Sequence, residues 1–213
     1  MKEKEAYNQI LLKKTVENLK KNFFDVYVFN HKEEVIEKLK EIIRKKSIIG
    51  YGGSRTLEEI GFFEHFNKND YPNLLDRRDS SLNFEQRREL QIKSLSSDVF
   101  LSSANAISQS GDLVLIDKWG NRNAGLTFGP KKRIVIAGVN KITKDLESAI
   151  DRAKNKAAVL NNIRFNTKNP CVEAGKCCNC KNEESLCSVT TIISKSQPPK
   201  SIIVFLINEE LGF

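Results

Sequence analysis

Histidine is scarce in this sequence, long apolar runs are absent, and cysteine is missing from most of its length. His31 and His65 are the only histidines among 213 residues. Both fall in charge-rich, helical-looking sequence and are expected on the surface. No HExxH helix and no Ser–His–Asp set can be built with them. The longest unbroken apolar run is Ile202–Ile207, far short of the roughly 20 residues that cross a bilayer. The first residues, MKEKEAYNQ, carry no apolar core of a secretory signal. Membrane, secreted and fibrous classes are set aside, and a cytoplasmic protein is expected.

A hydrophobic content of 39% beside 29% charged residues fits a globular chain with one core. The formal net charge is +8, which leaves an anionic partner open. That charge is diffuse. Twelve basic residues face eight acidic ones up to residue 46, nineteen face fourteen over 47–170, and four face five thereafter. No basic tail emerges, and no RNA-binding motif accompanies the charge, so nucleic acid is not the expected partner.

Apolar spacing predicts a helix over 5–21, with Ile10, Leu11, Val16 and Leu19 on one face. A strand is expected over Phe23–Phe29. Asn30, with Glu33 three residues on, resembles the start of a capping box for a helix carrying Val35, Ile36, Leu39, Ile42 and Ile43. Ser47–Tyr51 reads as a strand that turns through Gly52-Gly53-Ser54 into a helix bearing Leu57, Ile60 and Phe63. Another helix is expected over Asn83–Leu95. Strands come next at Val99–Leu101, Leu113–Ile116 and Ile134–Ala137. Thr143 can cap a long helix with Leu146, Ile150, Ala153, Ala157 and Leu160 inward. Ile202–Ile207 is the last strand, after Pro198-Pro199. Such alternation predicts an α/β fold with a mostly parallel sheet flanked by helices.

Two groups of residues suggest a ligand site. In the Gly52-Gly53-Ser54 turn, glycines let the backbone approach a ligand, and a helix start favours phosphate or carboxylate. The plainer alternative is an ordinary strand–helix turn that Ser54 caps. The turn is neither GxGxxG nor a Walker A loop. The second group comprises polar clusters at the ends of apolar runs, including Asn105, Asn121, Arg122 and Lys141. In open α/β sheets ligands bind at carboxyl strand ends, although Gly-Asn and Gly-Asp pairs are also common turn chemistry. Trp119 can stack on a ligand or be partly buried. Arg77-Arg78 and Arg87-Arg88 alternate with Asp76, Asp79, Glu85 and Glu89 and are expected on a solvated face. Lys131-Lys132-Arg133 is expected in a loop. Asp112 and Asp117 flank a strand and could act as bases.

All five cysteines lie within residues 171–187. Cys171, Cys177, Cys180 and Cys187 form one four-thiolate set, with Cys178 spare. Such a set can hold Zn²⁺ or a [4Fe–4S] cluster. Lys176 and Lys181 are expected to lower the thiol pKa values. Metal would hold folded a polar loop that lacks a core of its own. Free thiols in a mobile loop, or a Cys177–Cys180 redox disulfide, remain alternatives.

The ordered segments YGGSRTLEEIG, SSANAIS with GDLVLID, GNRNAGLTFGP and IAGVNKI resemble the LUD domain of B- and C-type lactate-utilization proteins. The resemblance covers about residues 5–165, and for a branch of the family it extends through the four-cysteine segment. It implies a fold like ribose-5-phosphate isomerase, glucosamine-6-phosphate deaminase and the CoA transferases. It also implies a cleft near Gly52, Gly53, Ser54, Asn105, Asn121, Arg122 and Lys141. As a family, these proteins take part in oxidising L-lactate through an iron–sulfur-linked, multi-subunit system. The sequence departs from the C type by having cysteines and from the B type by lacking paired ferredoxin-like runs.

The expectation is a LUD-like α/β domain over 1–165 and a cysteine-rich module with a final strand over 166–213. Its role would be a redox or carboxylate-metabolism component binding a 2-hydroxy acid, phosphate or CoA ester. Redox partner subunits and a homo-oligomer are compatible with that role. The family's redox association sets an iron–sulfur cluster ahead of zinc. Two alternatives stand beside it: an isomerase- or transferase-like enzyme on a sugar phosphate or CoA ester with structural zinc, and a non-catalytic subunit or regulator.

Overall fold

The computed structural model describes residues 2–213. Its centre is a five-stranded, wholly parallel sheet in the order β1-β9-β6-β3-β2. These strands are β1 (Asp25–Phe29), β2 (Ile49–Tyr51), β3 (Val99–Ser102), β6 (Lys132–Gly138) and β9 (Ile202–Ile207). Their sequences are nearly unbroken apolar runs because both faces are covered. All six residues of β9 are buried. Alternation splits its side chains between two cores. Ile203, Phe205 and Ile207 join the core beneath helices α2 (Glu33–Ile42), α3 (Arg55–Glu59) and α4 (Phe62–His65). Ile202, Val204 and Leu206 face the opposite core, with Leu12 and Leu19 of helix α1 (Lys2–Lys21).

That second core also carries a smaller sheet in the order β7-β4-β5-β8. Its strands are β4 (Ala106–Ser108), β5 (Leu113–Asp117), β7 (Ile142–Thr143) and β8 (Val189–Ile193). β5 runs antiparallel to both β4 and β8. Leu113 and Leu115 face the main sheet, whereas Val114 and Ile116 face Ala149 and Ala153 of the C-terminal helices. The fold is therefore α/β with a mostly parallel central sheet, and the antiparallel layer behind it adds pairings beyond the sequence expectation. Beyond residue 165 the chain returns to both sheets: β8 edges the smaller one, and β9 lies inside the main one, between β1 and β6.

Local differences from the sequence reading have identifiable causes. Asn30 does not cap α2. The cap position is Lys32, whose N–H donates to Glu209 Oε1 at 3.2 Å, while the His31 N–H donates to Glu34 at 2.8 Å. The expected helix through Phe63 breaks into α3 and α4 at Gly61, whose φ of +72° lies in the left-handed region. Thr143 belongs to β7, and Asp145 caps α7 (Leu146–Arg152) by accepting from the Ser148 N–H at 2.8 Å. A π-helical turn over Ala153–Ala157 then widens the helix before α8 (Ala158–Arg164). The extra residue rotates the faces of α8, so Val159 and Asn162 are buried and Leu160 is only partly so. Helix α5 (Phe84–Ser94) starts with a full capping box between Asn83 and Gln86. Lys132 and Arg133 begin β6 rather than a loop. The buried Arg133 guanidinium donates to the carbonyls of Thr127 at 2.6 Å and Gln197 at 2.8 Å. Among the described residues no helix is long and apolar enough to cross a membrane.

Candidate functional site

A cavity of about 770 Å³ opens where β2, β3, β5 and β6 end. From β2 come Tyr51 and the turn residues Gly53 and Ser54. From β3 come Ser103, Ala104 and Asn105, and from the segment after β5 come Asp117, Lys118, Trp119, Asn121 and Arg122. Lys141 enters on the 3₁₀ turn Val139–Lys141 at the end of β6. Among the described residues eight basic side chains and three acidic ones line the cavity, so its field favours an anion.

Gly52 lies behind this wall. A Cβ there would stand 2.7 Å from both Arg122 Cγ and Ser102 Oγ, so glycine is needed for packing rather than for ligand approach. Ser54 caps α3 by accepting from the Leu57 N–H at 3.3 Å, the plainer of the two readings of this turn. Asn105 Oδ1 accepts from the Ile116 N–H and from Arg122 Nη2, both at 2.9 Å. Arg122 also donates to the Ile116 carbonyl, and its own N–H donates to Asp117 Oδ2 at 3.0 Å. Asp117 is thereby tied to α6 (Asn121–Thr127). Asp112 is taken up by the Ser108 and Ser110 hydroxyls at 2.7 and 2.8 Å.

The Lys141 ammonium group is buried. It donates to Ser103 Oγ at 2.8 Å and Thr56 Oγ1 at 3.0 Å. Among the described residues no carboxylate lies within ion-pair distance of it. Burial, then the charges of Arg152 and Arg122, pull its pKa down to about 7, with Glu59 weakly opposing.

Several lining residues were not legible in the sequence. Arg77 lies over the Tyr51 ring at 5.3 Å, and Arg78 lies over Phe63 at 3.7 Å. Both line the cavity with Arg87, while Arg88 stays exposed. Of the interleaved acids that suggested a solvated face, Asp76 acts instead as an anchor, whereas Asp79, Glu85 and Glu89 are exposed as expected. Asp76 accepts from Arg78 Nη2 at 2.8 Å and from the Tyr51 hydroxyl at 2.7 Å. Burial alone would raise the Asp76 pKa, but the bonds from Arg78 and Tyr51 outweigh it and hold it at about 2. Tyr51 is pushed up to about 12 by burial and by its bond to Asp76. Trp119 is 69% exposed, more open than the partial burial expected. It stands at the cavity edge with Lys118 over its ring at 5.6 Å. Both histidines are exposed.

A second cavity, of about 270 Å³, is bordered by Cys171, Cys177, Cys178, Cys180 and Cys187 together. All five are free thiols. Cys171 sits on the short helix α9 (Cys171–Ala174), whose end turns through Gly175 at φ +66°. Asn169 ties the loop down. Its Nδ2 donates to Asn162 Oδ1 at 2.8 Å and to the Glu184 carbonyl at 3.1 Å. Asn155 Oδ1 accepts from the Cys177 N–H at 2.9 Å. Lys176 and Lys181 do not set the thiol pKa values at the ends of the set. Cys187 is exposed as a residue, but partial desolvation of its thiol, then Cys177, Cys171 and Cys180, push it up to about 11, and burial with the neighbouring thiols raises Cys171. Among the described residues no three His, Cys, Asp or Glu side chains stand close enough to hold a single metal ion.

The two cavities share a wall. Ile116 borders both. On the C-terminal helix Ala157 and Asn161 face the strand-end cleft, and Ala158 and Asn162 face the cysteines. Along the cysteine loop Glu184 and Leu186 line the cleft, and Ser185 and Cys187 line the smaller cavity.

No curated protein matches the chain. Among solved structures, a crystal structure of a DUF162 family protein from Deinococcus radiodurans shares the fold, with a TM-score of 0.55 at 10% identity, over 94% of this chain and 98% of the other. The family model described as the LUD domain matches residues 12–207, a span that takes in both sheets, the strand-end cleft and the cysteine loop. The chain belongs to the LUD domain family, which is associated with lactate utilization.

Proposed function

We propose that the protein is a redox or carboxylate-metabolism component that holds a small anionic metabolite in the strand-end cleft, beside a metal centre carried by Cys171, Cys177, Cys180 and Cys187. The observation that carries this reading is the shared wall: the cysteine loop and the helix behind it border both cavities. Arg122, Asn121 and Lys141 would orient carboxylate and hydroxyl groups of the ligand, and Arg77 and Lys118 add positive charge nearer the opening. Gly53 and Ser54 contribute wall, and Asn105 acts mainly by fixing Arg122.

Four thiolates are donors for a cluster as well as for zinc, and what favours the cluster is that among the described residues no three of them stand close enough for a single ion. Around tetrahedral zinc, with Zn–S near 2.3 Å, sulfurs stand roughly 3.8 Å apart. Here the thiols border a cavity of about 270 Å³ that they share with Asn162, Asn169 and Asn179. A [4Fe–4S] cluster bound there would supply one-electron chemistry next to the cleft. Partners would then include a redox subunit able to exchange those electrons.

The test is anaerobic purification, then iron, sulfide and zinc analysis with a visible spectrum. About four irons and four sulfides per chain are expected for one such cluster. Metal-free protein with an intact fold overturns the metal centre, and one equivalent of zinc overturns the cluster.

Cavity size supports a second reading, an isomerase- or transferase-like enzyme. About 770 Å³ lined by eight basic side chains exceeds what a three-carbon acid fills and suits a phosphorylated or CoA-linked ligand. On this reading CoA or a sugar phosphate raises the melting temperature and 2-hydroxy acids do not.

A further inference from the structure

We propose that Lys141 is a nucleophilic amine that condenses with the carbonyl carbon of an anionic aldehyde or ketone held in the cleft, with 2-oxo acids as the ligand class. This rests on the reading of the cleft as an anion site and extends it from binding to covalent chemistry.

The amine borders the cavity, yet its residue is only 3% exposed. Groups on four elements act on it. Thr56 of α3 and Ser103 beyond β3 accept its hydrogen bonds. The charges of Arg152 on α7 and Arg122 on α6 act on it through space, and Glu59 of α3 opposes them more weakly. Glu59 is itself engaged by the Gly212 N–H at 2.7 Å and by Arg55 at 3.5 Å. Two guanidinium groups and no close carboxylate form an unusual setting for a lysine whose only task is to fill space. An ammonium there lacks a counter-ion, whereas a neutral amine needs none. Arg122, which lines the cavity beside the amine, attracts the carboxylate of an incoming 2-oxo acid and leaves its carbonyl near Nζ. The lowered pKa leaves much of the amine unprotonated near neutrality.

The condensation balances without an oxidant. The Nζ lone pair forms the C–N bond while the carbonyl π pair moves onto oxygen, which takes up a proton as the hydroxyl of a carbinolamine. The nitrogen loses its protons, the C=N bond forms, and the hydroxyl leaves as water. Thr56 and Ser103 are 3.4 Å apart and can relay the protons between nitrogen and oxygen.

The experiment treats the full chain with pyruvate or glyoxylate, with and without cyanoborohydride, and reads intact mass and peptide maps. One reduced adduct at Lys141 is expected. At pH 7 the neutral fraction of an amine with pKa near 7 exceeds that of one with pKa near 10.4 by about a thousandfold, so labelling of Lys141 should exceed that of exposed lysines by a similar factor. The adduct should be absent from Lys141→Arg. Adducts spread over surface lysines, or none at Lys141, overturn the proposal. If Lys141→Arg fails to fold, the pH dependence in the unsubstituted chain decides: half-maximal labelling of Lys141 near pH 7 supports the reactive amine, and labelling that rises only toward pH 10 overturns it. Melting-temperature shifts with lactate, measured in parallel, report the anion site itself, so loss of the adduct with retained shifts separates the two failures.

Discussion

The strand-end cleft and the cysteine cavity lie back to back, yet they are built by different means. The cleft is framed by parallel strands whose cores hold its walls before any ligand arrives. Tyr51, Asn105 and Arg122 are fixed by bonds to backbone and to one another. The cysteine cavity hangs on a loop of which, over residues 171–187, only Cys171 is buried. A few amides, Asn155, Asn162 and Asn169, tie it to the helix. One region is organised by apolar burial and the other by hydrogen bonds. The first should survive changes that empty the second.

The largest expected effect falls on both at once. Phe205 is fully buried in β9 and packs edge-on against Phe29 and Tyr27, with ring centroids 5.0 and 5.5 Å away. Phe205→Ala should cost about 3–5 kcal/mol in denaturant unfolding, with both cavities lost in one transition. Two separate transitions would show that the cysteine region is independent of the main sheet.

A smaller change should separate the regions. Asn162 is 1% exposed and binds the Ala158 carbonyl, Thr167 and Asn169. Asn162→Ala should cost about 1–3 kcal/mol, since it strands buried polar partners. Hydrogen exchange should rise around residues 167–187 and stay unchanged at β2 and β3. Equal loosening of the strand ends would defeat the contrast.

The finest test is pH dependence. Lys141 has a folded pKa near 7, below the ordinary 10.4 to 10.5. Between those values the unfolded chain binds a proton that the folded chain does not. The cost of burying the amine is therefore complete below pH 7 and shrinks as pH rises toward 10. Lys141→Met removes this dependence. The stability difference between Lys141→Met and the unsubstituted chain should narrow through that window by up to about 1.4 kcal/mol per pH unit. A constant difference would show that the amine titrates normally.

The main sheet was legible because burial on both faces leaves strands such as Ile202–Ile207 without a polar residue. The smaller sheet was not. β4 and β7 hold three and two residues, and β8 keeps four of its five residues at least partly exposed. Such segments become strands only because β5 offers its edges to β4 and β8, and β4 offers its outer edge to β7. At the cleft, Asn121, Arg122 and Lys141 could be named from polar clusters at strand ends. Arg77 and Arg87 could not, because Asp76 and Asp79 beside them look the same whether they shield a solvated face or anchor a wall. Gly52 was read as a ligand turn, but its constraint is the Arg122 side chain arriving from 70 residues away along the chain.

By itself, the sequence determined the alternation of elements, the buried strands and the gathering of five cysteines in one stretch, because periodicity and spacing are local properties. Tertiary structure alone decided that β9 enters the middle of the sheet, that the cysteine loop forms a wall of the cleft, and that Lys141 is buried in the field of Arg152 and Arg122. Burial, field and counter-ions are sums over residues distant in sequence, and those sums set the chemistry of an amine.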